Sequence, residues 1–166
     1  MSDRVKKAVR IAWILVVLAT LTFIFVQSTL SSEESQKESD KVSDIIEEII
    51  PPETDAGAFV QDNVRKIAHF VEFAVLGGEV ALYMLVYHRK LKATLTALAG
   101  GLLMALFDET IQIFSKRGSS VSDVWLDFAG FMTASLICYT VYGVILLFLK
   151  YANKGLQNQN REDGNV

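Results

Sequence analysis

The residues of this chain that can do chemistry gather around one stretch, Phe107-Asp108-Glu109-Thr110-Ile111-Gln112-Ile113-Phe114-Ser115-Lys116-Arg117-Gly118, with Asp123 and Asp127 close behind. A second group, Arg65, His69 and Glu72, lies earlier in the chain. Both groups border apolar runs. Ionisable groups at membrane depth are costly, and they face a protein interior or a wet cavity. Buried carboxylates need partners, and Arg65 and Arg117 are the natural ones. Three kinds of chemistry are open to this set. Two guanidiniums can clamp a phosphate. An imidazole titrates near neutral pH, so His69 can act as acid or base, with Glu109 or Asp123 as its partner. Glu109, Asp123 and Asp127 can gather a hard cation. Neither an HExxH motif nor a Cys–His spacing marks a metal site, so we expect no metal and no cofactor.

The elements that must position these residues are apolar. The chain has 166 residues, 51% of them hydrophobic, and its mean hydropathy is +0.32. That is too apolar for an ordinary soluble domain. About 20 apolar helical residues span a bilayer. Four stretches approach that length: Ile11 to Val26, Ile67 to Tyr87, Leu91 to Phe114 and Val124 to Leu149. The expectation is an all-α integral membrane four-helix bundle over residues 11–149. The net charge of −3 gives no strong signal for nucleic acid, and no nucleic-acid partner is expected. Cys138 is the single cysteine, so a disulfide framework is excluded.

Charge distribution orients the bundle. Arg4, Lys6, Lys7 and Arg10 occupy the basic N-terminus, residues 1–10. His88, Arg89, Lys90 and Lys92 separate the second and third runs, and Lys150 and Lys154 follow the fourth. Lys and Arg are enriched in short cytoplasmic loops, so both termini are expected in the cytoplasm. The acidic segment 27–63 and the turn holding Lys116 and Arg117 then lie outside. Those two basic residues run against the trend, which points to a function. The first run also resembles a signal peptide, but no small-x-small cleavage site follows it, so a retained helix is expected. Within the outer segment, Val42, Ile45, Ile46, Ile49 and Ile50 recur at helical spacing. They predict a short extracytoplasmic amphipathic helix, capped by Ser39 and ended by Pro51-Pro52, that roofs the bundle. The tail, 150–166, is polar and expected to lack structure.

Topology then assembles a layer. Arg65, His69, Glu72 and Glu79 share one stripe of the second helix, and Gly77-Gly78 admits a close neighbour. Glu79 lies deeper and would face Thr or Tyr side chains. Ala93, Ala97, Gly101 and Ala105 form a small-residue seam on the third helix, and Gly130 and Ala134 form another on the fourth. With helices alternating in direction, Arg65, His69, Glu72, Asp108, Glu109, Gln112, Arg117, Asp123 and Asp127 all reach the outer end.

Three blocks resemble the VanZ family of small bacterial membrane proteins. One is Phe25-Val26-Gln27-Ser28 with the Ser-rich acidic stretch after it. The second is Arg65-Lys66-Ile67-Ala68-His69-Phe70-Val71-Glu72-Phe73 with Leu76-Gly77, similar to K-x-x-H-F-x-E-[YF]. The third joins Asp108-Glu109, Gln112, Phe114, Arg117, Asp123-Val124 and Gly130. It departs from the family pattern at Asp127, where the pattern has Asn. The resemblance implies a multi-pass protein of the bacterial cytoplasmic membrane and an association with low-level teicoplanin resistance. The expected function is a polar outer pocket that binds an envelope lipid head group or a lipophilic glycopeptide. The alternative is a membrane-embedded hydrolase or transferase acting on an envelope lipid, with His69 as acid or base. No nucleophilic Ser elbow and no phosphatase-like basic motif is present, which favours binding over catalysis.

Overall fold

A computed structural model describes every residue except 1, 52, 89–90, 116–117, 119 and 164–166, and describes backbone alone for 155–163. Five helices follow one another: α1 (Asp3–Thr29), α2 (Ser32–Glu47), α3 (Asp55–Tyr87), α4 (Leu91–Phe114) and α5 (Val121–Asp163). No strand occurs among the described residues. All but α2 are long and apolar enough to cross a membrane. The chain is thus an all-α membrane protein with four candidate spans. Apolar side chains point outward along them, as at Leu15, 59% exposed, and Leu136, 67% exposed. A bilayer would cover that surface.

Lipid tails are as apolar as leucine, so packing decides which helices meet. The most extensive interface joins α3 to α5. Two glycines allow it. A Cβ on Gly77 would lie 2.2 Å from the Phe131 carbonyl oxygen, and one on Gly130 would lie 2.2 Å from that of Phe70. Ser135 Oγ donates to the Gly77 carbonyl at 3.1 Å across the same seam. On α4, Gly101 abuts the Phe131 ring, and Ala105 is buried. The small-residue seams read from the sequence are therefore packing surfaces. Ile24, Phe73, Leu76, Ala105, Val124 and Phe131 form the buried core between them.

The polar residues off the main cluster also find partners. Glu79 accepts from Thr20 Oγ1 at 2.9 Å, and its carbonyl accepts from Trp13 Nε1 at 3.1 Å. At the opposite end of the bundle, Arg10 donates to the Tyr83 hydroxyl at 2.8 Å. Its guanidinium also stacks over Tyr83 and Tyr87.

Two expectations change. The amphipathic helix begins at Ser32, capped by Ser31, and Ser39 lies within it. The reason is a reciprocal cap: Ser31 Oγ accepts from the Glu34 amide, and the Glu34 carboxylate accepts from the Ser31 amide at 2.9 Å. Its bundle-facing side also mixes serines with part of the apolar stripe, Val42 lining the cavity between α1, α2 and α3. Ser35 is buried and Ser39, Ser43 and Ile46 are half-buried, whereas Val42, Ile45 and Ile49 are exposed. Elsewhere, α5 continues to Asp163, well into the tail expected without structure. No proline interrupts that stretch, and its Lys, Gln and Arg residues are good helix formers.

Gly77→Ala and Gly130→Ala should each destabilise the protein by about 1–3 kcal/mol, the usual cost of overpacking. Gly100→Ala, with nothing within 4 Å of its added Cβ, should not. Thermal unfolding in detergent measures the contrast. A second expectation concerns α2. The Ser31 side-chain hydrogen bond, helped by its backbone amide, holds the Glu34 carboxyl below its ordinary value of 4.5. A depressed carboxyl stabilises above that ordinary value and loses the contribution as pH falls through the folded one. The first turn of α2 should therefore lose hydrogen-exchange protection below about pH 4.5, and Glu34→Gln should remove the pH dependence.

Candidate functional site

Asp108 is the centre of the polar end. It sits in the last two turns of α4 with 0% exposure. Three helices supply groups around it. Ser28, from the end of α1, donates its hydroxyl to Asp108 Oδ1. Gln112, one turn further along α4, donates its amide to Oδ2 at 2.8 Å. His69, from α3, places Nδ1 3.8 Å from Oδ2 and 3.9 Å from a Glu72 oxygen. Gln112 in turn accepts from Arg65 Nη2 at 2.9 Å. A relay thus runs Arg65 to Gln112 to Asp108 to Ser28. The arginine meets an amide, and among the described residues it makes no ion pair.

Asp127, on the first turns of α5, lies against the same point. It is 1% exposed. One donor atom each from His69, Asp108 and Asp127 fall within 4.8 Å of one another. A cavity of about 20 Å³ lies beside them, lined by Arg65, His69, Gln112, Asp123 and Asp127 among others. A larger cavity, about 270 Å³, opens on the other face of Arg65 and His69 between α1, α2 and α3.

The sequence placed Arg65, His69, Glu72, Asp108, Glu109, Gln112, Asp123 and Asp127 at one end, and the structure brings them there. Their pairing differs from the expectation. Glu109 is buried, and its carboxylate accepts from the Ser120 amide just before α5. It ties down the connection between α4 and α5. Asp123 is half-exposed, and it lines the small cavity. The carboxylates nearest His69 are Glu72, Asp108 and Asp127, rather than Glu109 or Asp123. Among the described residues, the acids and histidine whose donor atoms lie within 4.8 Å of one another are His69, Asp108 and Asp127, rather than Glu109, Asp123 and Asp127. Arg117 lies outside the described residues. Ser28 is the member that sequence reasoning left out of the site. Its signal was a small hydroxyl closing an apolar helix, which reads equally well as a helix end.

Four candidate spans and a buried polar cluster at one end define a small multi-pass membrane protein with an intramembrane polar site. The VanZ/LLP1 family profile matches residues 12–151 of the chain, and the chain belongs to that family. Comparison with curated proteins and with solved structures yields no match.

Gln112 is the joint of the relay. Gln112→Leu would strip Asp108 of a donor and Arg65 of an acceptor in a buried setting. Leaving such groups unsatisfied costs about 1–3 kcal/mol or more. Thermal unfolding in detergent should register that loss, and Gln112→Glu should not restore it, because Glu has no amide to give Asp108.

Proposed function

We propose that this VanZ-family protein binds the head group of a cell-envelope lipid in the cavity between α1, α2 and α3. The observation that carries the reading is Arg65. It lines the larger cavity while making no ion pair among the described residues, so its charge is open to an anion. A guanidinium suits phosphate because its donors form a planar fork. The walls divide by polarity. Arg65, His69 and Glu72 form one side, and Phe23, Leu30 and Val64 form an apolar side. An amphiphile satisfies both. Glu72 and Glu38, also on the lining, favour a head group that carries an amine beside its phosphate.

Size separates the two amphiphiles that the sequence suggested. Drug-sized ligands occupy pockets of roughly 300–1,000 Å³. A cavity of about 270 Å³ holds a head group or the end of a chain, and a glycopeptide core is larger. We read any effect on teicoplanin as indirect, through the lipid surface on which the drug acts. The charge distribution supports a site on the extracytoplasmic side, since the basic clusters fall at the opposite helix ends.

The test is native mass spectrometry of protein purified from membranes containing phosphatidylethanolamine and phosphatidylglycerol. Wild type should carry a phospholipid, with the ethanolamine lipid preferred. A charge-assisted hydrogen bond is worth about 1.5–3 kcal/mol, so Arg65→Ala should lower occupancy about tenfold or more. Arg10→Ala, at the other end, should leave it unchanged. Equal occupancy in wild type and Arg65→Ala would overturn the proposal.

A further inference from the structure

We infer that His69, Asp108 and Asp127 form a binding site for one divalent transition-metal ion at the junction of α3, α4 and α5. This goes beyond head-group binding and does not depend on it.

Asp127 is the residue that calls for a ligand. Its side chain is 1% exposed. Both of its carboxylate oxygens are buried without a hydrogen-bond partner among the described residues. A bare buried carboxylate is one of the costliest groups a protein can hold. Something must balance it, and Arg65 and Lys66, which line the same small cavity, make no ion pair with it among the described residues. Yet the side chain does not turn away. It faces the same small cavity as His69, and its oxygen falls within 4.8 Å of donor atoms of both His69 and Asp108.

The cavity has the right scale. A space of about 20 Å³ admits a single water-sized particle, for which roughly 10–15 Å³ suffices. The ligand spacing is also close. Donors about 2.1 Å from a tetrahedral ion lie about 3.4 Å apart. His69 Nδ1 and Asp108 Oδ2 are 3.8 Å apart, so small side-chain rotations close the set. Two carboxylates supply two negative charges, which a divalent ion neutralises. One imidazole with two carboxylates suits zinc, manganese or iron(II), because nitrogen ligation favours first-row ions over magnesium or calcium.

The surroundings behave as a ligand's supports do. Ser28 and Gln112 hold the two oxygens of Asp108, which fixes the carboxylate plane. Metal ligands are typically steadied by such outer hydrogen bonds, and losing one costs 10–100-fold in affinity. Gln112 also stands between Arg65 and Asp108, taking the guanidinium on its oxygen. The positive charge is thereby held one residue away from the ligand set. Three protein ligands would leave a coordination position for water or for a ligand oxygen.

The experiment uses untagged full-length protein in detergent, stripped with a chelator and then titrated with zinc chloride or manganese chloride. Elemental analysis after desalting should find about one metal per chain in wild type. The same ion should raise the unfolding temperature. Asp127→Asn and His69→Ala should lose both effects, and Ser28→Ala should weaken binding about tenfold or more. Glu79→Gln, a carboxylate change elsewhere on α3, should keep full binding. Helical circular dichroism of the stripped variants separates lost metal from lost fold. Should the variants fail to fold, wild type decides alone: one ion retained with a thermal shift upholds the site. Wild type that keeps no zinc or manganese and shows no shift overturns it, and means that protons neutralise the cluster. Folded Asp127→Asn or His69→Ala that binds like wild type overturns it as well.

Discussion

The backbone contact between α3 and α5 is the constraint on which the other features rest. Gly77 and Gly130 let these helices meet main chain to main chain, with no space for even one methyl group at either point. Such an approach fixes both the distance and the register of the pair. His69 and Phe70 lie side by side on α3, and Asp127 lies one turn from Gly130 on α5. Once Phe70 sits on Gly130, His69 is held against Asp127. The polar end of the bundle is therefore positioned by apolar packing deeper in the membrane. In a bilayer this order of cause is expected, since close packing of small residues drives association where the hydrophobic effect cannot.

Buried charge is managed differently at each acid. Asp108 is buried and accepts hydrogen bonds from Ser28 and Gln112. Glu109 is buried and accepts the Ser120 backbone amide just before α5. Glu79 shares one oxygen with Thr20 in the middle of the bundle. Asp127 alone among these four has neither oxygen hydrogen-bonded within the described residues. The contrast matters because neighbouring donors were close enough for the other three. Glu79 and Glu109 each keep one oxygen hydrogen-bonded and one without a partner among the described residues, whereas Asp127 has both oxygens without one, beside a histidine. The Arg65 arrangement follows the same logic. Its link to an amide rather than to a carboxylate keeps a full positive charge on the wall of the larger cavity.

Helix α2 shows how pattern and placement can separate. Its capping box and its apolar stripe are both present in the sequence, and the helix forms. Ile45 and Ile49 of that stripe are nevertheless exposed, while Val42 lines the larger cavity and Ile46 and Ile50 are half-buried. Ser35 and Ser39 face inward and line the larger cavity. Periodicity identifies a helix and its faces, but an apolar face has two possible covers, protein or lipid. Near a membrane the usual inference that apolar means inward fails.

From the sequence alone came the four spans, the small-residue seams and the gathering of polar residues at one end, nine of them with Arg117 and eight among the described residues. Each depends on local or additive properties: run length against bilayer thickness, spacing against helical pitch, and alternating direction of successive spans. The Ser31–Glu34 cap is equally local, a Ser followed three residues later by Glu, and it competes in the sequence with Ser39 as a helix start. Tertiary structure alone decided who pairs with whom. That Glu109 serves the Ser120 amide, that Gln112 stands between Arg65 and Asp108, and that Ser28 reaches Asp108 all depend on helix rotation about its axis. A rotation of one residue is about 100° at 3.6 residues per turn, enough to exchange one neighbour for another. Hydropathy in a lipid-facing helix barely constrains that angle, because most of its surface is apolar. The close contacts at Gly77, Gly130 and Gly101 help to set it for α3, α4 and α5, and hydrogen bonds such as Thr20 to Glu79 do so for α1; all of them exist only between helices.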